Sequence, residues 1–181
     1  MTILAFPDDA ELAHGIWGAN CGPFALACAL GRSCEQIRAA VCSSTSTARF
    51  PELPGIEPAL RFTGYMGVPD MLAAVDRAGA RVGRRWSSPG RRIFVEPGRL
   101  LVLVQWGGSW MSNPRAAAAH RHWVAYQKLD GVGMVGDVNA SAWTPLDTWS
   151  SELVPALLPA AGDGTWSPSW ACALDVAAAR S

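Results

Sequence analysis

The sequence predicts an α+β fold: helices from the first half packed on an antiparallel sheet of about four to six strands from the second half. Three observations predict it. Helix signals cluster before Gly79, strand-like apolar runs follow it, and Asp130-Gly131 joins two of those runs with a hairpin signature. Helices first and hairpin-linked strands afterwards exclude an alternating βαβ plan.

In order along the chain, "PFALACAL" at 23–30 reads as a buried helix. Pro23 suits its first position and Gly31 its stop. Ser33 with Gln36 makes a capping-box pattern for a second helix over about 34–42. "SSTSTARFPELPGIEP" is a polar, proline-rich loop. A third helix starts near Pro69 and ends at Gly79, with Met71, Leu72 and Val75 facing inward. "ARVGRRW" and "RLLVLVQW" read as strands, the second apolar enough to be central. "HWVAYQK" and "GMVGDVN" flank the hairpin turn, "PLDTWSSELVPALL" reads as a short helix, and "WACALDVAA" as a closing strand. No repeat and no boundary interrupts this order, so residues 1–181 read as a single domain, long enough for a real core.

Composition removes several function classes. Half of the residues are apolar, which argues against disorder, and the formal net charge is zero. No global field therefore selects a nucleic acid or a membrane as partner. Lys128 is the sole lysine. Six arginines lie between Arg81 and Arg99, with Glu96 the only acid among them. They form either a solvated edge or a patch for an acidic partner. The first residues carry no basic export pattern, and no uncharged apolar run is long enough to span a bilayer. The expectation is a cytoplasmic protein, with delivery into another cell by a leaderless route also compatible. Five cysteines, an odd number at uneven spacing, point to reduced thiols rather than a disulfide framework. Cys28 and Cys34 lack the further ligands of a zinc site, and His120 with His122, which share a face if in a strand and could suggest a metal, have no evident third ligand, so neither a metal nor another cofactor is expected.

One cysteine stands apart. Cys21, in "WGANCGPFALACALG", lies at the start of the helix that runs on from Pro23. Unpaired N–H groups and the helix dipole favour an anion there, which lowers a thiol pKa and favours the nucleophilic thiolate. Gly22 beside it leaves room for a substrate backbone. Cys28, Cys34, Cys42 and Cys172 read instead as small core residues. A thiolate nucleophile needs a base to share its proton. Of the three histidines, His14 lies ahead of the cysteine, and His120 and His122 straddle Arg121. His122 opens the strand "HWVAY", where a side chain can face a cleft. Counting outward from Asp130-Gly131 sets residue 122 opposite 138 or 139, so Asp137 and Asn139 are both within reach to orient the base. Trp17, Trp106, Trp110 and Trp123 fall near this site in sequence. Trp106 and Trp123 are candidates for substrate contact, and Gln105 and Ser109 could also touch substrate, against the plainer reading of these residues as packing and surface.

"NCGPFALACALG", then "HWVAY", then "GDVNASAWTPLDTW" resemble the papain-like cysteine peptidases of the bacteriocin-processing, double-glycine-leader type. In that group a Cys-Gly opens a buried helix, a His precedes an aromatic and a β-branched residue, and an Asp follows one hairpin later, often with a Trp-bearing helix after it. The likeness spans about residues 14–150. It implies a papain-like fold and a cysteine peptidase with Cys21 as nucleophile, His122 as general base and Asp137 as orienter, acting on a protein or peptide. The chain departs from the group at one point. A glutamine usually stands some five or six residues before the cysteine and serves the oxyanion hole. Those positions are Gly15 and Ile16. The second oxyanion donor is then expected from Asn20, Trp17 or His14, or from a backbone N–H of their loop. A transglutaminase- or amidase-like acyl transferase would use the same triad, and a non-catalytic binding domain could use the same scaffold. A free-standing enzyme of this size fits a maturation enzyme, a delivered effector or toxin, or a phage-encoded protein.

Overall fold

A computed structural model describes residues 4–9, 21–41 and 66–175. Helix α1 is Cys21–Leu30 and α2 is Cys34–Val41. Helix α3 is Val68–Arg77. Strands β1 (Arg81–Ser87), β2 (Gly98–Gly108), β3 (Arg121–Leu129), β4 (Val132–Gly136), β5 (Thr144–Pro145) and β6 (Gly162–Asp175) follow. They form one six-stranded sheet of order β1-β6-β2-β3-β4-β5. Every pairing is antiparallel. The chain is therefore α+β, with its helices packed on the sheet.

The local signals explain most of these elements. Nine of the ten residues of α1 are buried, as an apolar helix without a polar face requires. Gly31 ends it at φ 64°, donating to the Cys28 carbonyl at 3.1 Å while Arg32 donates to Ala27 at 3.0 Å. This is the Schellman arrangement, in which a left-handed residue lets the chain fold back on the last carbonyls. Both bonds of the Ser33–Gln36 capping box form, at 2.9 and 3.1 Å. Asp9 caps α2 as well, accepting from Cys34 N and Glu35 N at 2.8 and 2.9 Å. At the hairpin, Asp130 and Gly131 have φ of 46° and 87°, the left-handed pair that a tight two-residue turn demands.

The sheet separates two cores. On one face α1, α2 and α3 pack against Leu101, Leu103, Trp123, Ala125, Cys172 and Leu174. On the other, Leu100, Val102, Val104, Val124, Tyr126 and Ala171 meet an aromatic cluster that includes Phe94, Trp110, Trp149 and Trp166. Strand β2 alternates between these cores and is buried along its middle, the central place its apolar run predicts.

Four details differ from the sequence reading. Helix α1 begins at Cys21, so Pro23 is its third residue rather than its first. In α3 the inward positions are Met71, Ala74 and Val75, and Leu72 is only half-buried. Strand β4 stops at Gly136, so Asp137 and Asn139 stand in the turn beyond it. Strand β6 begins at Gly162, well before Trp170, because Gly162–Ser167 continues the ladder along the end of β2. The predicted loop at 43–58, the last position of the second helix and the residues beyond Asp175 in the closing strand lie outside the described residues.

Candidate active site

The site forms where the β3–β4 ladder ends. The last pair is Ala125 with Gly136; the same register carried onward sets His122 opposite Asn139. Gly136 faces α1, its Cβ position 3.0 Å from the Cys28 sulfur. Strand alternation then turns Asp137 to the opposite, aromatic face, the face that His122 also occupies. Cys21 reaches the same point from the other side, at the N-terminus of α1. Helix and sheet thus contribute from two faces to one locus.

His122 Nε2 and Asp137 Oδ2 are 2.9 Å apart, and both residues are buried. An ionised carboxylate only accepts, so Nε2 carries the proton, and Nδ1 is the nitrogen left for the Cys21 thiol, whose pKa the imidazole lowers. Asp137 is satisfied on both oxygens. Oδ2 also accepts from Trp149 Nε1 at 2.8 Å, and Oδ1 accepts from Asn139 N and Nδ2 at 2.9 and 3.0 Å. The Trp106 ring stacks on the imidazole with centroids 5.7 Å apart.

The electrostatics separate Cys21 from its fellow cysteines. Burial disfavours its thiolate, but the His122 hydrogen bond and charge, with the Trp123 backbone N–H, outweigh burial and hold the thiol below its ordinary range. Burial pushes the Cys28 thiol up, and does the same for Cys34 and Cys172, each to about 12. Burial alone would lower the His122 pKa; the Asp137 carboxylate and the Cys21 thiol outweigh it and raise it to about 10. Asp137 is itself held below its usual range, because His122, Asn139 and Trp149 offset its burial. The arrangement favours a thiolate beside an imidazolium, with a carboxylate behind.

The structure brings Cys21, His122 and Asp137 together. It sets Asn139 on the carboxylate rather than on the imidazole. Asn20, Trp17 and His14 lie outside the described residues, as does Cys42. Several other candidates have different roles. Gly22 is not an open approach for substrate: it is buried, and a Cβ there would meet Met66 at 2.8 Å. Trp123 is a core residue whose indole donates to the Met66 carbonyl at 2.7 Å. Gln105 is buried and braces the loop ahead of β3, donating to the carbonyls of Trp106, Ala117 and His120 while accepting from Arg121. Ser109 is exposed. His120 stacks on Trp110 at 3.7 Å, away from the carboxylate. Trp149 on Asp137 is the contact that sequence reasoning missed; a tryptophan in the helix after the acid is its only sequence signal.

The arginines of the Arg81–Arg99 stretch stand mostly exposed along edge strand β1 and the following turn. Arg84 approaches Glu96 at 3.8 Å, and Arg91 lies over the Trp166 ring. No helix among the described residues is long and apolar enough to cross a membrane. Searches of known protein families, curated proteins and solved structures return no match to this chain.

Proposed function

We propose that this protein is a cysteine peptidase of papain-like type, cleaving a peptide or isopeptide bond through Cys21, His122 and Asp137. The observation that carries the proposal is the 2.9 Å pairing of His122 with Asp137 beside Cys21, the one described cysteine whose thiol is held below its ordinary range, by that same imidazole.

The chemistry follows from the roles. The Cys21 thiolate attacks the scissile carbonyl carbon, and the carbonyl electrons move to oxygen. The Cys21 backbone N–H, the first of α1, is one donor for that oxyanion. The loop before it is the expected source of the second. As the tetrahedral species collapses, the C–N bond breaks and imidazolium Nδ1–H gives its proton to the leaving amine. This leaves a thioester on Cys21 and a neutral His122. His122 then takes a proton from water, whose oxygen attacks the thioester. The acid is released and the thiolate–imidazolium pair returns. Asp137 keeps the proton on Nε2 throughout and stabilises the imidazolium. A cytoplasmic place of action is part of the proposal and rests on the free thiols.

The test is a thiol-reactive peptide probe followed by mass spectrometry of the labelled site. Labelling confined to Cys21 and abolished by His122→Ala supports the peptidase. Transfer of the acyl group to an added amine in preference to water would make it an acyl transferase. Slow labelling that ignores His122→Ala would make it a binding domain.

A further inference from the structure

We propose that Trp149 is a positioning residue for this site: its indole N–H fixes the same carboxylate oxygen that His122 holds, so that Asp137 faces the imidazole in one orientation. The proposal rests on the peptidase reading above.

Asp137 takes four hydrogen bonds, and their origins differ. The two on Oδ1 come from Asn139, two residues along, and move with the turn that carries the acid. They tie Asp137 to itself. The two on Oδ2 come from elsewhere: His122 on β3 and Trp149 on the helical stretch after β5. Among the described residues, only Trp149 relates the carboxylate to the rest of the fold independently of the residue it must orient. Remove that bond, and beyond the turn's own Asn139 the rotation of the carboxylate is governed by His122.

Trp149 is itself fully buried and held by its neighbours. Phe94 packs against its ring at 6.4 Å and Trp166 meets it edge-on at 5.2 Å. It opens a π-helical turn, Trp149–Leu153, set between helical turns Leu146–Thr148 and Val154–Leu157. Such turns redirect a side chain without ending the helix. An indole N–H donates and never accepts, so it can hold the acid without competing for the histidine's proton.

Among the described residues, few groups around the pair titrate. From α1 come Cys21 and Cys28, and burial keeps Cys28 a neutral thiol. From the loop ahead of β3, His120 is turned onto Trp110, and Arg121, the first residue of β3, is turned onto Gln105. The aromatic face contributes Trp106 and Trp149, which do not titrate. Among these groups, His122 and Asp137 are the ones on which changes in the Cys21 profile report.

The experiment measures the iodoacetamide alkylation rate of Cys21 against pH in the full chain, with urea midpoints alongside. Trp149→Phe removes the N–H and keeps a ring. Trp166→Phe trims the same cluster without touching Asp137. Wild-type Cys21 should react with a midpoint below the ordinary thiol value of about 8.5. Trp149→Phe should raise that midpoint by about one pH unit, the weight of one charge-assisted bond. Trp166→Phe should leave it in place even where stability falls as far. Trp149→Gln, which restores an N–H donor that does not titrate, should bring the midpoint back toward wild type, and also serves if the Phe variant does not fold. An unmoved midpoint in Trp149→Phe, or the same shift in Trp166→Phe, overturns the positioning role alone. An ordinary thiol midpoint in the wild type overturns the peptidase reading and the positioning role with it.

Discussion

Cys21 and Cys28 belong to one helix, seven residues apart in sequence, and differ in every property that matters for chemistry. Cys28 lies under Gly136 in the apolar layer, where nothing compensates a charge, and its thiol is pushed up. Cys21 has the helix N-terminus, the Trp123 N–H and the His122 imidazole around it, and its thiol is pushed down. Burial opposes the thiolate at both. What separates them is the supply of donors and positive charge, and that supply stands where β4 stops pairing with β3. The comparison teaches that a thiol's pKa is lowered by its setting at a helix end beside a gap in the sheet, not by the thiol itself.

Substitution of the two cysteines is the strongest way to break the contrast. Cys21→Ala should lower turnover of any cleaved peptide by at least ~10³-fold, since triad members act as a unit. Cys28→Ala should keep turnover within a few-fold and cost about 1 kcal/mol of stability from the lost packing, measured by urea unfolding. Similar turnover losses in both would remove the distinction.

Next in size is Asp137→Asn, which keeps the shape of the acid and removes its charge. Turnover should fall by about 10²–10⁴-fold through the wrong imidazole tautomer and the unsupported imidazolium. Steady-state kinetics beside a circular-dichroism spectrum check that the loss is chemical rather than a loss of fold.

A smaller effect lies in the pH dependence of stability. His122 rises from 6.5 unfolded to about 10 folded, so across that window the folded chain holds a proton the unfolded chain has released. Its stabilising contribution is fully present below pH 6.5 and is lost as pH rises through about 10. Cys21 runs the other way. Its pKa is lowered from 9.0, so its contribution is present above pH 9 and is lost as pH falls through the lowered value. In the wild type the two slopes oppose each other. Cys21→Ala removes one of them and also one of the causes that raise His122. The variant should therefore lose stability as pH rises above 6.5, by up to about 1.4 kcal/mol per pH unit, over a window closing below pH 10. Urea midpoints at several pH values, wild type against variant, read this directly, and parallel curves would contradict it.

How much of this could be read from the chain follows from the range of each signal. Local chemistry was legible. Gly31, Ser33 with Gln36, and Asp130-Gly131 each act through backbone groups a few residues away, and all three appear in the structure as read. The meeting of His122 with Asp137 was legible because one hairpin register links them. Contacts between distant elements were not. Gln105 looks like a polar residue near a cleft, yet its amide is consumed by one carbonyl of β2 and two of the segment ahead of β3. Gly22 looks like space for a substrate, yet Met66 fills that space from a segment far along the chain. Trp149 looks like core, and is core, but one indole N–H makes it part of the site. Tertiary contact decides such cases, and no periodicity encodes it.

The most direct measurement of the central claim is the pH–rate profile of Cys21 alkylation in wild type and His122→Ala, with the labelled cysteine identified by mass spectrometry. The account predicts a wild-type midpoint below the ordinary thiol value of about 8.5 and a rise to or above that value in His122→Ala. A wild-type midpoint at the ordinary value, or one that His122→Ala leaves unmoved, would contradict it.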